Sequence, residues 1–396
     1  RKAKKIDLYY DVSEIQYSDV GVKSFRFRAH SDSSRLNYNV FVDKAKIDSL
    51  LIDGVEFNGT VSHDSIRTNV IILDSLDLYK YVIGGTFFSR DKAFELRLDP
   101  KQVRLNYEEW TVPPTNYIRF GGPKLVAQNV ELANGRAKIS IESKPQPDAP
   151  LFIGFRELNL EYLVSMVAQE KPVTGLLHGD INIFPAKENL QFTANVKINE
   201  FTISKLAWGN ISLDVKQDTK DRFDVNFSMI GKNNDIRAQG YYTGGKSAYM
   251  DVTATLSKFD VSVIQPLVAS QVQQLKGSLT GEVNLKGSTL KPDINGALTL
   301  RNSAFFSTYL NSAFSIKDET ISFTNRGISF DNFELVDVDQ NIASLNGLIA
   351  TTDYRNFEFR LDLNTEKFQL LNTTAKDNDL YYGKMNVNAK ARIRGR

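Results

Sequence analysis

The chain contains no cysteine, so disulfides, zinc–thiolate sites and thiol nucleophiles are excluded. That absence does not fix a compartment, but it suits a chain that must avoid stray thiols in an oxidising space. Only three histidines occur, His30, His63 and His178, and none has a second histidine at metal-ligand spacing. No stretch approaches the ~18 apolar residues of a membrane-spanning helix. The longest aliphatic run is Val70 to Leu73. Charge of one sign is also missing. Lys and Arg total 49 against 47 Asp and Glu, a formal net charge of +2. A nucleic-acid binder would carry a basic excess or patch. The basic run Arg1, Lys2, Lys4 and Lys5 sits at a terminus and reads as a solvated end, with a membrane-proximal flank as its alternative.

What is present is alternation with a period of two. Phe25 and Phe27 alternate with Arg26 and Arg28, and Leu36, Tyr38, Val40 and Val42 form a second one-sided set. Phe94, Leu96 and Leu98 alternate with Glu95 and Arg97. Further along come Phe192, Ala194, Val196 and Ile198, then Phe223, Val225 and Phe227, then Val252, Ala254 and Leu256. Val283 and Leu285, Leu298 and Leu300, and Ile321 and Phe323 follow. The last third adds Phe330, Phe333 and Leu335, and then Phe357, Phe359, Leu361 and Leu363. Successive strand side chains point to opposite faces, so each segment has one apolar and one polar face. Short polar turns such as 232–235 and 243–246 separate them. The expectation is an all-β chain of about 25–30 antiparallel strands joined by hairpins.

Two segments break the alternation. Leu158 to Gln169 and Val263 to Leu275 carry helical spacing, with Asp260 or Ser262 as cap and Pro266 in the first turn of the second. They head a repeat of about a hundred residues. Gly175 to Ile183 corresponds to Gly277 to Leu285, and a looser copy starts near Phe368 and runs into Tyr382 to Val387. The expected organisation is 1–150, 151–257, 258–367 and a truncated start at 368–396. The proline-rich stretch 145–150 reads as a loop, because alternation continues on both sides. The start without Met and the strand-like end at Ile393 give the expectation of an internal stretch of a longer protein.

No chemistry-bearing constellation emerges, so no catalytic residue, metal ligand or cofactor is assigned. Gly240 to Ser247 spells the G-x4-G-K-S phosphate loop. A strand-like segment follows where that loop needs a helix, so a hairpin turn is the better reading. Asp337 with Asp339 and Asp377 with Asp379 lack the glycine and distal glutamate of a calcium loop. A polysaccharide-acting β-solenoid would need an exposed charged cluster beside aromatic platforms, which does not appear. The remaining feature is the apolar face. A sheet this long exposes too much of it for two short helices to cover, so it must roll, dimerise or hold a ligand. A sealed barrel or sandwich core is the simpler alternative, but a closed barrel filled by side chains needs few strands.

The succession of a short helix, Gly277 to Ser288, Leu290 to Leu300, Ile321 to Phe323, Phe330 to Leu335, Ala343 to Gly347 and Phe359 to Leu363 resembles the TamB family of AsmA-like proteins in the Gram-negative envelope. Leu371 to Gly383 resembles the Bacteroidota members in particular. The resemblance runs from about residue 150 to the end. It implies a long rolled β-sheet, an open taco-like groove. It also implies a periplasmic location, with an inner-membrane anchor and reach to an Omp85-type, TamA-like barrel in the outer membrane. The function implied is a phospholipid bridge or, in an older reading, a scaffold for assembly of outer-membrane proteins. The anchor and the family's C-terminal domain are both expected to lie outside this chain. Candidate lipid-lining residues are Phe192, Val196, Phe223, Val225, Phe227, Val252, Leu256, Val283, Leu285, Leu298, Leu300, Ile321, Phe323, Phe330, Phe333, Leu335, Phe357, Phe359 and Leu361.

Overall fold

The computed structural model describes residues 5–18, 20–32, 34–47, 50–90, 93–121, 125–146, 149–165, 172–185, 191–219, 221–245, 248–289, 291–376 and 382–395. Among these residues it shows an all-β arrangement of 26 strands in open antiparallel sheets, within the roughly 25–30 expected from typical strand lengths. By contacts the chain forms two compact units, Arg1–Ile198 and Asn199–Arg396.

The first sheet holds ten strands. They are β1 (Asp7–Tyr17), β2 (Val20–Ser31), β3 (Leu36–Ile47), β4 (Leu50–Ser62), β5 (Ser65–Leu73), β6 (Tyr79–Arg90), β7 (Ala93–Leu105), β8 (Glu108–Trp110), β9 (Tyr117–Phe120) and β10 (Val126–Gln128). Neighbours in sequence are neighbours in the sheet, except that β8 pairs with β7 as a side branch. The second sheet opens with β11 (Val130–Asn134), β12 (Ala137–Ser143), β13 (Leu151–Asn159), β14 (Val173–Phe184) and β15 (Gln191–Ile203). It continues with β16 (Leu206–Thr219), β17 (Arg222–Ile230), β18 (Asn234–Thr243), β19 (Tyr249–Asp260), β20 (Val272–Ser288) and β21 (Lys291–Ser307). It ends with β22 (Ser312–Thr324), β23 (Gly327–Val336), β24 (Ile342–Ala350), β25 (Glu358–Thr373) and β26 (Gly383–Gly395). Its order is again the order of the sequence.

The helices are shorter than their spacing predicts. α1 spans Glu161–Val164, and the rest of the first expected helix beyond Ser165 lies outside the described residues. A 3-10 turn at Val261–Ile264 leads into α2 (Gln265–Val268). Asp260 caps the turn by accepting from the Ser262 N–H at 3.0 Å, as expected. The predicted extension to Leu275 is corrected: Val272 and Leu275 belong to β20, and Val272 pairs with Ser307. A four-residue apolar spacing fits a short helix or a strand equally well, and the ladder to β21 decides it.

Four bulges share one construction. Glu157, Glu200, Asn332 and Lys367 all have φ between 44° and 55°. Each lifts its N–H out of the ladder, and a side chain on the next strand accepts it: His178 Nδ1, Asn210, Asn346 and Asn388 respectively. A bulge shifts alternation by one residue and bends the strand. The bulge therefore assigns His178 a structural partner.

In the second unit, β22 and β25 also touch directly past the short β23 and β24. The Phe314 and Phe368 rings stack 5.6 Å apart, and the Asn372 N–H donates to the Leu310 carbonyl at 3.0 Å. Asp337 sits at this seam, 3% exposed. Its Oδ1 accepts from the N–H groups of Asp339 and Asn341, and its Oδ2 from the Gln369 N–H at 2.6 Å and the Asn341 amide at 3.0 Å. Burial alone would raise this carboxyl. The converging donors outweigh it and hold the acid below its ordinary value. Such a group adds stability above the unfolded carboxyl pKa, which is lost as pH falls through the lower folded value. Asp337→Ala should cost about 2–4 kcal/mol at pH 7. Urea midpoints of the variant and the parent should converge in acid.

Candidate apolar binding face

Residues directly opposite each other in a ladder share a face. Following these pairs through the second unit traces continuous rows. One row runs Phe227, Ala238, Ala254, Val283, Gly296, Phe323, Ile328, Ile349 and Phe359. A parallel row runs Met229, Ile236, Leu256, Gly281, Leu298, Ile321, Phe330, Gly347 and Leu361. Val225, Gly240, Val252, Leu285 and Ile294 form a third, and Leu279 with Leu300 a fourth. Most of these residues are half-buried. The opposite face is polar: Asp251 pairs with Lys286 at 3.1 Å, and Thr255 donates to Glu282 at 2.9 Å.

Glycines on this face let adjacent strands and large side chains approach. Gly347, at φ +126°, lies between Phe330 and Leu361. A Cβ there would meet the Arg360 carbonyl oxygen at 2.2 Å.

The sequence candidates do not all present an open surface. Phe223 stacks on Tyr242 and is buried. Phe333 lies beyond the Asn332 bulge, 5% exposed and edge-on to Phe330 at 5.5 Å. Leu335 packs against the Phe314, Ala343 and Phe368 cluster at the seam. Phe357 falls just before β25, exposed and outside the ladder. The turn and α2 bury Val261 and Val263, and Phe259 packs on Trp208 with ring centroids 6.0 Å apart.

In the first unit, Phe192 and Val196 lie on β15, half-buried. Val196 runs beside Gly179, which closes the row Leu132, Ile139, Phe155 and Gly179. The first sheet carries a row of its own: Tyr10, Phe27, Val40, Phe57, Val70, Ile83 and Val103. Phe57 and Ile83 are exposed, whereas Val103 and its neighbour on the row, Trp110, are 3% and 1% exposed. α1 lies against Trp110. Tyr162 meets Trp110 edge-on at 5.4 Å. Ser165 lies 2.5 Å from the Tyr81 hydroxyl, and its carbonyl accepts from Lys80 Nζ at 3.0 Å. Sequence alternation gave no sign of this cover, because Trp110 stands on a three-residue strand.

Among the described residues no cluster of three or more potential ligands occurs. Gly240 of the phosphate-loop pattern lies in β18 opposite Val252, in a hairpin. The buried Glu95 is held by Arg97 and Arg119 at 2.8 and 2.9 Å. Burial pushes that carboxyl up, and the two guanidinium groups more than offset it. Among the described residues no helix is long and apolar enough to cross a membrane.

Open antiparallel sheets with one apolar face fit the expected family, and the family model of the TamB C-terminal domain matches residues 132–332. The chain belongs to the TamB family. That match covers just over half of the 396 residues. It also corrects one expectation: the C-terminal domain of the family falls within this chain, not outside it. TamB proteins are a transport and assembly family of the cell envelope, concerned with outer-membrane biogenesis. No curated protein and no solved structure matches the chain.

Proposed function

We propose that this TamB chain is a non-enzymatic carrier of phospholipid in the periplasm. Acyl chains lie along its apolar face and head groups stay at the open margin. In the full-length protein the path runs from an inner-membrane anchor to an Omp85-type, TamA-like barrel in the outer membrane. The observation that carries this reading is the set of unbroken, half-exposed apolar rows in register from β17 to β25. A contiguous apolar face of this kind marks a surface for an apolar partner. The rows are one residue wide per strand and lack directional polar groups, which suits flexible hydrocarbon better than a shaped small molecule. The candidate lining residues from Phe192 to Leu361 belong to this proposal, as do the repeat boundaries near residues 151, 258 and 368.

Mass spectrometry of the purified chain tests it directly. Co-purifying phospholipid is the expected result, and a lipid-free protein that takes none up from vesicles would overturn it. A second reading is an assembly scaffold that adds client strands to an open edge. The family's role in transport and assembly in the cell envelope favours it. Prolines in the edge strand of the full sheet would then abolish function while charges on the apolar rows would not.

A further inference from the structure

Beside α1, in the first unit, lies a cavity of about 490 Å³. It opens where the apolar row Val42, Val55 and Ile72 of the first sheet reaches Tyr81. Leu51, Ile52, Ile72 and Val164 form its apolar wall. Among the described residues its charged lining is Lys80 with Asp53, Asp74 and Glu161, and polar side chains such as Ser75, Asn106 and Tyr107 complete it.

These acids are not equivalent. Asp74 is fully engaged, accepting from the Tyr107 hydroxyl at 2.6 Å and from the Leu76 and Leu78 N–H groups at 2.9 Å. Those donors hold its carboxyl below the ordinary range, while burial and the Asp74 charge push the Tyr107 hydroxyl to about 12. Among the described residues, the Asp53 and Glu161 carboxylates have no hydrogen-bond or ion-pair partner. Among the described residues Lys80 Nζ donates to the Ser165 carbonyl and lies 5.9 Å from the Tyr81 ring centroid, which leaves donor capacity for an anion. Among its described residues the cavity thus offers one cation and two unpaired carboxylates at the end of an apolar face.

We propose that this cavity holds the zwitterionic head group of an aminophospholipid. Its phosphate faces Lys80, its primary ammonium faces Asp53 and Glu161, and its acyl chains run onto the row through Ile72 and Val55. The inference rests on the lipid-carrier reading and adds a head-group preference to it. Carboxylates recognise a primary ammonium through its N–H donors, so a quaternary choline head is the poorer fit. An acidic glycerol head lacks the cation altogether and meets two carboxylates unpaired.

The test loads the whole chain from vesicles of phosphatidylethanolamine, phosphatidylcholine or phosphatidylglycerol and quantifies retained lipid. Phosphatidylethanolamine should be retained most. Lys80→Ala should lower its retention by about tenfold, the loss expected for one charge-assisted contact of roughly 1.4 kcal/mol. Lys80→Arg should restore it, which separates the contact from a folding defect. Asp53→Asn with Glu161→Gln should remove the preference for ethanolamine over glycerol heads. Equal loading of all three lipids, indifferent to these variants, overturns the head-group site and leaves the carrier reading standing. No loading of any lipid overturns both. Binding of soluble glycerophosphoethanolamine with no lipid retained shows a free-solute site and overturns the proposal as well.

Discussion

Phe323→Asp combined with Phe359→Asp is expected to reduce lipid loading at least tenfold while the protein stays folded. Both residues stand in one row, connected through the pairs Phe323–Ile328, Ile328–Ile349 and Ile349–Phe359. An acyl chain crossing that row would have to strip water from two carboxylates, at several kcal/mol each without a partner. The fold loses less, because Phe359 is 37% exposed already and Phe323 only half-buried, so both acids keep water in the empty protein. Ser322→Asp with Arg360→Asp places the same charges on the opposite face. That control should load lipid normally, since Arg360 forms only a surface pair with Glu358. Circular dichroism reports the fold, and lipid quantification after vesicle incubation reports the path. Normal loading of the double phenylalanine variant would sink the carrier reading at this row.

Gly347→Val should destabilise the second unit by about 3 kcal/mol or more. Two costs add. At φ +126° a residue with a Cβ is strained in its own backbone. The new Cβ also falls 2.2 Å from the Arg360 carbonyl oxygen, a backbone atom that can move only by pulling β25 away. Hydrogen exchange in β24 and β25 should rise before exchange elsewhere in the unit. Gly244→Ala is the matched control: it stands in a turn, without positive φ, and a Cβ there meets only the Tyr242 ring at 3.9 Å. A loss at Gly244 equal to that at Gly347 would remove close strand approach as the explanation.

The sheet was legible because its code is local. Phe223, Val225 and Phe227 need only alternate to define a strand, and the structure puts them on one face of β17. The bulges were written in the same code but are easily passed over. Phe330 and Phe333 are three residues apart where two is the rule, and the extra residue is the Asn332 bulge. That slip carries Phe333 and Leu335 into the closed seam. The seam itself could not be read, because the meeting of Phe314 with Phe368 depends on how far β23 and β24 fall short of their neighbours. The usable face of the first sheet was equally hidden: β3 carries Tyr38 and Val40 on one side and Phe41 on the other. Only its neighbours settle the matter, since Phe41 pairs with Arg26 and Glu56, and Val40 with Phe27 and Phe57. The head-group cavity left no trace in alternation, because Lys80, Asp53 and Glu161 come from separate hairpins and a helix.

Sequence-ordered pairing has a consequence for how such a chain is made. Almost every ladder within each unit joins consecutive strands across a short turn. Contacts are therefore local along the chain, and the entropy of closing long loops is largely avoided. Each new hairpin can dock on a finished edge as soon as it emerges, without waiting for a distant partner to complete a barrel or sandwich. A polypeptide that reaches its destination unfolded and from one end can then crystallise strand by strand, its last edge always the template for the next.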